Sequence, residues 1–240
     1  MKALITGGQQ GIGFGIAQAL HAAGWEIAIA SEVPDASDAL AVLPGATYHQ
    51  HDVTDIGAAA ALLDAVGPIT TFISNAGVGA MQRGDLLDMT PDSFDRCMAV
   101  NLRGAFFLAQ EVARRMLAMP AQPYRSMTFI TSVSASMVNV DRAEYCMSKA
   151  AAAMAVQAFA LRLAAANIGV FDIRPGIIST PLTAPVAARY DSTIPQIVPA
   201  GRWGQPADIA QIILPLARGD FAFATGAQIP VDGGLSINRF

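Results

Sequence analysis

Residues 2–13, KALITGGQQGIG, decide the fold of this chain. A short apolar strand, Ala3–Thr6, runs into a glycine-rich turn, and a helix begins near Ile12. Glycines stand at Gly7, Gly11 and Gly13. Because glycine has no side chain, the backbone of such a turn can approach a diphosphate closely. The N-terminal amides of the next helix then stabilise the negative charge of the diphosphate. The order strand, glycine turn, helix therefore predicts a dinucleotide site, with a plain strand-to-helix turn as the alternative.

The same alternation continues along the chain, where short apolar runs are separated by segments of helical periodicity. Strands are predicted at Ala3–Thr6, Glu26–Ser31, Thr47–Gln50, Thr70–Ser74, Met127–Ser132, Gly169–Ile173 and Gln228–Val231. Helices are predicted near Ile12–Ala23, Ile56–Ala65, Pro91–Met119 (two helices or one kinked helix), Arg142–Ala166 and Pro206–Ala217. Strands this apolar are covered on both faces. We therefore expect an α/β Rossmann fold, a doubly wound seven-stranded parallel sheet with helices on both faces and ligands at its carboxyl edge.

Composition narrows the possible partners. The chain has 240 residues, 53% of them hydrophobic, and a mean hydropathy of +0.41. Its longest apolar run, Ala150–Leu161, is interrupted and falls short of the roughly 18 to 20 residues that cross a bilayer. A net charge of −4 without basic runs disfavours nucleic acid and anionic membranes as partners. The N-terminus enters a strand at once, so we expect no signal peptide and a cytoplasmic protein.

Neither a metal site nor a disulfide is expected. The chain's two cysteines are Cys97 and Cys146, and its histidines are His21, His49 and His51. Their spacing matches no zinc motif, and two cysteines do not form a disulfide framework. No linker-like change of composition divides the chain, so one domain over residues 1–240 is predicted, with a cofactor half of about 1–125 and a catalytic and substrate half of about 126–240.

The ends of the second and third strands suggest which nucleotide binds. Ser31 and Glu32 follow the second strand, where an acidic side chain accepts hydrogen bonds from the adenosine ribose. A carboxylate there repels a 2′-phosphate, and neither Gln10 nor Ser31 supplies a cation for one. NAD(H) is therefore favoured and NADP(H) stays open, with a solvated loop residue as the alternative reading of Glu32. Asp52 and Val53 end the third strand, where the adenine edge is expected.

Several motifs in a fixed order resemble those of the short-chain dehydrogenase/reductase family. TGGQQGIG is similar to its TGxxxGxG cofactor motif, and Ser74-Asn75-Ala76-Gly77 to its NNAG motif with serine in place of the first asparagine. NLRG at Asn101, TSVS at Ser132, YCMSK, PGIIST and VDGG follow in family order, from Thr6 to Gly234. The resemblance implies a reductase or dehydrogenase that transfers hydride between a nicotinamide and an alcohol or ketone. It says far less about the substrate.

Tyr145 and Lys149 stand at positions i and i+4, so they share one face of the predicted helix. An ammonium ion near a phenol stabilises the phenolate, which makes Tyr145 a candidate acid or base. The resemblance implies that Ser132 binds the substrate oxygen and that Lys149 also holds the nicotinamide ribose. It implies that Asn101 fixes a water molecule for proton relay, whereas the residues alone allow a polar side chain at a helix kink.

The resemblance also assigns the remaining contacts to the cofactor and the substrate. Cofactor contacts are expected from Gly7, Gln9, Gln10, Gly11, Ile12, Ser31, Glu32, Asp52, Val53, Asn75, Ala76, Gly77, Tyr145, Lys149, Pro175, Gly176, Ile178 and Thr180. A long segment follows Pro175-Gly176 and is typical of a mobile lid. Pocket walls are expected from Ser134, Met137, Val138, Asn139 and Met81. This mostly apolar lining suits a medium-sized ketone or secondary alcohol.

Three functions remain open at this stage. The leading one is an NAD(H)-linked alcohol dehydrogenase or ketone reductase. A 3-oxoacyl thioester reductase of the acyl carrier protein type is the second, for which Arg103, Arg125 and Arg142 are a candidate basic patch. A non-catalytic protein that senses NAD(H) is the third, although it would not need Ser132, Tyr145 and Lys149. Helix 150–161 is apolar nearly all round, so we expect another subunit to cover it in a homo-oligomer, either a tetramer or a dimer. The alternative is a helix buried inside a monomer.

Overall fold

The fold is built on one parallel sheet. We used a computed structural model that describes residues 1–238, apart from the side chain of Arg189. Its strands are β1 (Lys2–Thr6), β2 (Glu26–Ser31), β3 (Thr47–Gln50), β4 (Thr71–Ser74), β5 (Arg125–Ile130), β6 (Ile168–Pro175) and β7 (Gln228–Val231). They pair in the order β3-β2-β1-β4-β5-β6-β7, and every pair is parallel. The predicted seven-stranded doubly wound sheet is confirmed, with its switch point between β1 and β4.

Helices cover both faces of this sheet. They are α1 (Gly11–Ala22), α2 (Ser37–Val42), α3 (Ala59–Val66), α4 (Pro91–Met98), α5 (Ala105–Ala118), α6 (Ala143–Leu163), α7 (Ala187–Asp191), α8 (Ile194–Ile197) and α9 (Pro206–Arg218). One buried cluster joins the sheet to α3, α5 and α6, and a second joins it to α1 and α9. Apolar side chains thus leave water on both faces, which explains why the five inner strands show no polar alternation.

The predicted long helix 91–119 is divided by a π-helical turn, Ala99–Gly104, between α4 and α5. Thr90 caps α4 by accepting a hydrogen bond from the Ser93 amide, and Pro91 occupies its first turn. The π-helical turn packs closely on the segment after β3, because a Cβ on Gly104 would lie 2.3 Å from the Val53 carbonyl oxygen. The kink that was predicted as one possibility is therefore a change from α-helix to π-helix and back, over Ala99–Gly104.

Several local predictions are wrong. Strand β5 ends at Ile130 rather than at Ser132, because the Ser132 hydroxyl accepts a hydrogen bond from the Ser134 amide and starts a 3-10 turn. Helix α2 was not predicted, since its six residues are too few for a clear helical period. The long segment after β6 is not a plain loop, because it contains the short helices α7 and α8.

Segment Val140–Ala166 is long and apolar enough to cross a bilayer by length and composition, where none was expected from the sequence. A core helix of a soluble protein passes the same test. This segment contains α6, which packs on β6 and buries the polar residues Glu144, Ser148 and Lys149 within the fold. Packing on the sheet thus accounts for the buried face of α6.

Candidate active site

The glycine turn after β1 is folded tightly against the start of α1. Gly7 has φ +65°, and its amide donates a 2.8 Å hydrogen bond to the carbonyl of Ala30. A Cβ on Gly13 would lie 2.3 Å from the Gly7 carbonyl oxygen, so no larger residue fits there. The N-cap residue of α1, Gln10, makes no side-chain cap. The first amides of α1 are therefore available to an anion such as a diphosphate.

The end of β4 is tied to the end of β1, across the switch point. The Asn75 amide donates to Oγ1 of Thr6 at 2.9 Å, and Nδ2 of Asn75 donates to the carbonyls of Thr6 at 2.9 Å and Gly7 at 3.2 Å. The Ala76 amide also donates to Oγ1 of Thr6, at 3.0 Å. Asn75 and Ala76 therefore fix the glycine turn in place, and nearby Gln9 Oε1 is buried without a partner in the described part of the chain. A cradle with unmet polar groups fits a bound dinucleotide.

The residues expected at the adenosine end meet at one sheet edge. β2 and β3 are paired with Ser31 opposite Gln50, so the residues that follow each strand are neighbours. Ser31 is buried and Glu32 is exposed, with its carboxylate on the surface beside the end of the sheet. Asp52 folds back instead, because its carboxylate accepts from the amide and hydroxyl of Thr54 at 2.8 Å each. Of the two acidic residues predicted to contact the adenosine, Glu32 therefore exposes its carboxylate to solvent, whereas the carboxylate of Asp52 is bonded to Thr54.

Lys149 and Tyr145 share one face of α6 at the carboxyl end of β5. The Lys149 ammonium is buried, donates a 3.0 Å hydrogen bond to the Ile130 carbonyl and lies 5.8 Å from the centre of the Tyr145 ring. The backbone at Gly77 also comes close, because a Cβ on that residue would lie 3.4 Å from Lys149 Nζ. The structure thus brings together the predicted tyrosine, lysine and SNAG loop.

Ser132 lies where β5 ends, beside the start of α6. It is 7% exposed, and its hydroxyl oxygen accepts from the Ser134 amide at 3.0 Å. Ser134 is also buried, and its hydroxyl oxygen accepts from an N–H of Arg142 at 3.2 Å. The turn 133–135 thus holds both serine hydroxyls close to the start of α6.

Asn101 joins the π-helical turn to its surroundings. Its Oδ1 accepts from the Val78 amide at 2.8 Å, and its Nδ2 donates to the Val78 carbonyl at 2.9 Å and to Oγ of Ser148 at 3.0 Å. The Ser148 hydroxyl donates in turn to the Tyr145 carbonyl at 2.8 Å. These bonds match the structural reading of Asn101, that of a polar residue at a helix kink. The water-relay role stays a prediction.

The segment after β6 returns to the glycine turn. The Gly176 amide donates to the Val231 carbonyl at 3.1 Å, and Ile178 forms a parallel bridge with Gly204. Thr180 lies against the start of α1, since a Cβ on Gly11 would lie 3.4 Å from its Cβ. Pro175, Gly176, Ile178 and Thr180 thus run past the predicted cofactor site.

The predicted pocket wall is uneven. Ser134 is buried, whereas Met81 is 60% and Val138 is 84% exposed. Met137 is partly exposed at 36%, and the Asn139 side chain accepts from the Asp141 amide instead of facing an open pocket. The expected apolar wall is therefore open to solvent on the side of Met81 and Val138.

Sequence reasoning missed the roles of two charged residues beside Tyr145. The guanidinium carbon of Arg142 lies 5.1 Å from the centre of the Tyr145 ring. Glu144 is 2% exposed, and its carboxylate accepts a 2.5 Å hydrogen bond from the Ser93 hydroxyl of α4. The same carboxylate acts on Cys97: burial, with Glu144 as the second cause, raises the pKa of that thiol to about 11. Their position at the start of α6, next to the tyrosine, was the available signal.

The candidate basic patch of Arg103, Arg125 and Arg142 is not formed. Arg125 is 2% exposed at the start of β5, where it donates to the carbonyls of Met116, Met119 and Ala166. Arg142 lies beyond the opposite end of that strand. Arg125 is thus buried and hydrogen-bonded to backbone carbonyls, so it does not belong to a surface that could bind an acidic carrier protein.

Comparison with known proteins decides the family. The family model described as Enoyl-(Acyl carrier protein) reductase matches residues 7–236. The 3-oxoacyl-[acyl-carrier-protein] reductase MabA of Mycobacterium tuberculosis is 35% identical over 240 residues, which cover 98% of this chain and 93% of the relative. This chain belongs to the short-chain dehydrogenase/reductase family. It is an oxidoreductase that interconverts a secondary alcohol and a ketone with a nicotinamide cofactor.

Other short-chain family members are similar over nearly their whole length. The (3R)-3-hydroxyacyl-CoA dehydrogenase of Homo sapiens is 30% identical and covers 97% of this chain, which spans 94% of that relative. A crystal structure of 3-oxoacyl-[acyl-carrier protein] reductase from Brucella melitensis in complex with NAD superposes with a TM-score of 0.94. It is 45% identical and covers 100% of this chain and 98% of its own. The similarity therefore extends through both halves of the fold.

Proposed function

We propose that Tyr145 is the acid and base of this oxidoreductase. The observation that supports this role is the buried Lys149 ammonium, 5.8 Å from the phenol ring and hydrogen-bonded to the Ile130 carbonyl. A nearby cation stabilises the negative charge that proton transfer leaves on the phenol oxygen, so this hydroxyl is suited to act as a general acid or base. In reduction Tyr145 donates its proton to the carbonyl oxygen, and in oxidation it accepts the proton of the alcohol.

The other site residues support this proton transfer. When bound, the nicotinamide supplies or accepts the hydride. The Ser132 hydroxyl donates to the substrate oxygen, which holds it near the phenol and stabilises developing charge. Lys149 keeps one donor on Ile130 and has two further N–H groups for ribose hydroxyls. Asn101 holds the loop at Val78 and, through Ser148, the first turn of α6, so that these groups stay aligned.

The proposed cofactor is NAD(H). Between Lys2 and Arg83 the sequence contains no lysine or arginine, so no cation of that stretch can neutralise a 2′-phosphate. The exposed Glu32 carboxylate at the end of β2 adds repulsion against that phosphate. The related Brucella melitensis structure contains NAD, whereas a more distant relative, a putative 2-deoxy-d-gluconate 3-dehydrogenase from Agrobacterium tumefaciens, contains NADP.

The substrate of this proposal is a ketone or secondary alcohol of medium size. The partly open wall of Met81, Met137 and Val138 accepts an apolar chain. The names of the relatives favour a 3-oxoacyl thioester as the second candidate, because both act on acyl groups oxidised at carbon 3. The buried position of Arg125 speaks against a carrier-protein surface that would include it.

We further propose a homo-oligomer formed through α6, located in the cytoplasm. Met147, Met154 and Leu161 recur every seven residues on α6 and are 42%, 65% and 86% exposed. An apolar stripe of this kind is expected at an interface rather than in water. Light scattering on the purified protein would test it by giving a mass above 25.0 kDa. The free, buried thiols of Cys97 and Cys146 suit a reducing compartment.

A substrate panel tests the proposed function. Ketones, 3-oxoacyl thioesters and polyols are offered to the full-length protein with NADH or NADPH, and cofactor absorbance is followed. We expect oxidation of NADH with at least one ketone class. Tight NADH binding without turnover of any class would contradict the proposal and favour the sensor.

A further inference from the structure

The guanidinium of Arg142 is an unpaired cation beside the candidate catalytic tyrosine. Arg142 precedes α6, and its guanidinium carbon lies 5.1 Å from the centre of the Tyr145 ring. Within the described part of the chain it has no carboxylate partner at ion-pair distance. The neighbouring Glu144 does not neutralise it, because that carboxylate is buried on the side of Ser93.

The hydrogen-bond donors of Arg142 are mostly unused. A guanidinium has five N–H donors in a fixed plane, and one nitrogen donates to Oγ of Ser134 at 3.2 Å. Its Nε is buried without a partner among the described residues. A buried charged donor without an acceptor costs free energy, so this arrangement is unfavourable until an acceptor arrives. An oxygen atom of a ligand that reached Nε would remove this cost.

The two cations near Tyr145 serve different neighbours. The Lys149 ammonium donates to the Ile130 carbonyl and lies near the backbone at Gly77, a residue of the predicted cofactor site. Arg142 contacts Ser134, a residue of the predicted substrate wall. Arg142 therefore lies on the side of the predicted substrate wall.

We propose that Arg142 binds a carboxylate of the substrate, so that this protein acts on oxo acids and hydroxy acids with a free carboxyl group. This assignment rests on the proposed function and specifies its substrate class. Ser134 orients the guanidinium through its hydroxyl, while Nε and a second N–H remain for the two carboxylate oxygens. The planar arginine fork matches a carboxylate in this way.

A free carboxylate suits this position better than a thioester. Hydrogen bonds between two charged groups are roughly twice as strong as those between neutral groups. A thioester carbonyl is neutral and accepts at one oxygen, so it would leave the positive charge of Arg142 uncompensated. The relatives named for 3-oxoacyl and 3-hydroxyacyl groups suggest carbon 3 as the reacting carbon. The smallest probe with these features is 3-oxobutanoate.

The experiment compares substrates that differ only in charge. NADH oxidation by the full-length protein is measured with 3-oxobutanoate, with methyl 3-oxobutanoate and with a short 3-oxobutanoyl thioester. The variants are Arg142→Gln and Arg142→Lys, and Arg103→Gln is the matched control, because Arg103 is exposed and its guanidinium lies over the ring of Phe107 instead of Tyr145. As a binding readout, butanoate and its neutral isostere butanamide are compared as inhibitors of ester reduction.

We expect the wild type to prefer the acid and to be inhibited more strongly by butanoate than by butanamide. Arg142→Gln should lower kcat/KM for 3-oxobutanoate by roughly 10- to 100-fold, mainly through KM, as for loss of a charge-assisted hydrogen bond. The ester reaction should change by less than about threefold, which also shows that the variant folds. Arg142→Lys should keep part of the preference, because it retains the charge without the fork. Arg103→Gln should behave as the wild type.

Two results would overturn the inference alone. One is a wild type that reduces the ester or thioester but not the acid. The other is an Arg142→Gln variant that loses acid and ester activity to the same degree, since that would indicate a structural role. Absence of turnover with every ketone offered would instead contradict the proposed function itself.

Discussion

Nδ2 of Asn101 lies 3.0 Å from Oγ of Ser148, and this hydrogen bond fastens the π-helical turn to the helix that carries Tyr145 and Lys149. Ser148 passes the connection on, because its hydroxyl donates to the Tyr145 carbonyl at 2.8 Å. Nδ2 of Asn101 also donates to the Val78 carbonyl, and its Oδ1 accepts from the Val78 amide. One buried side chain thus links the loop after β4 with the proposed catalytic helix.

Replacement of Asn101 by alanine should destabilise the fold more than replacement of Ser148. Asn101→Ala leaves the Val78 amide and carbonyl without partners, and we expect a loss of about 2–3 kcal/mol in the free energy of unfolding. Ser148→Ala removes a single hydroxyl and should cost about 1 kcal/mol. Urea unfolding followed by circular dichroism measures both. Equal stability of the two variants would contradict the linking role of Asn101.

The glycine turn should tolerate no side chain at Gly13. In Gly13→Ala the new methyl group would lie 2.3 Å from the Gly7 carbonyl oxygen and would push the turn away from α1. We expect the affinity for NADH, measured by fluorescence titration, to fall by more than about tenfold. The control is Gly79→Ala, because a Cβ there meets nothing within 4 Å and φ is not in the left-handed region. Equal NADH affinity of the two variants would show that the turn can relax.

Cofactor preference should follow charge at the end of β2. The wild type should prefer NADH to NADPH, since Glu32 is exposed there and no lysine or arginine lies between Lys2 and Arg83. Glu32→Ser with Gln10→Arg should raise kcat/KM with NADPH by roughly tenfold or more, because a repulsive charge is exchanged for an attractive one. A wild type that already prefers NADPH would contradict this interpretation of the loop.

Stability should fall in alkaline solution because of Cys97. An unfolded thiol ionises near pH 8.5, whereas burial raises the pKa of Cys97 to about 11 in the folded protein. Between these values the unfolded chain loses its proton first, so the free energy of unfolding falls as pH rises. From pH 8 to pH 10 we expect a loss of about 1–2 kcal/mol from this thiol.

Urea unfolding of Cys97→Ala and Cys146→Ala at both pH values measures this contribution. The loss should shrink in Cys97→Ala, whereas Cys146→Ala, which keeps the Cys97 thiol, should lose as much stability between these pH values as the wild type. An unchanged pH dependence in Cys97→Ala would exclude that thiol as the cause.

Most of the fold could be predicted from the sequence because strands and long helices carry strong periodic signals. The glycine turn marks the end of β1 and the start of α1. Every strand of the sheet was predicted within two residues at each end. Helix α2 was missed because six residues span fewer than two turns. The early end of β5 was missed because it depends on one side-chain hydrogen bond, from the Ser134 amide to the Ser132 hydroxyl.

The candidate site could be predicted where spacing along one element determines it. Tyr145 and Lys149 meet because four residues make about one helical turn. The roles of Arg142 and Glu144 depend on tertiary neighbours, Ser134 for the first and Ser93 for the second, which lie on other elements. The local sequence does not indicate that the Arg142 guanidinium has no carboxylate partner among the described residues, or that the Glu144 carboxylate is buried. The same limitation produced the mistaken basic patch, since Arg125 is buried and its two terminal nitrogens donate to backbone carbonyls.

Turnover and NADH binding of Tyr145→Phe, measured on the same preparation, test the proposed proton transfer most directly. We expect kcat to fall by at least about a thousandfold while the NADH dissociation constant changes little, because only the phenol hydroxyl is removed. Tyr124→Phe is the control, since Tyr124 lies against Gly169 and Gly219 near the start of β6, away from the carboxyl edge. A Tyr145→Phe variant that keeps most of the wild-type rate would contradict the account.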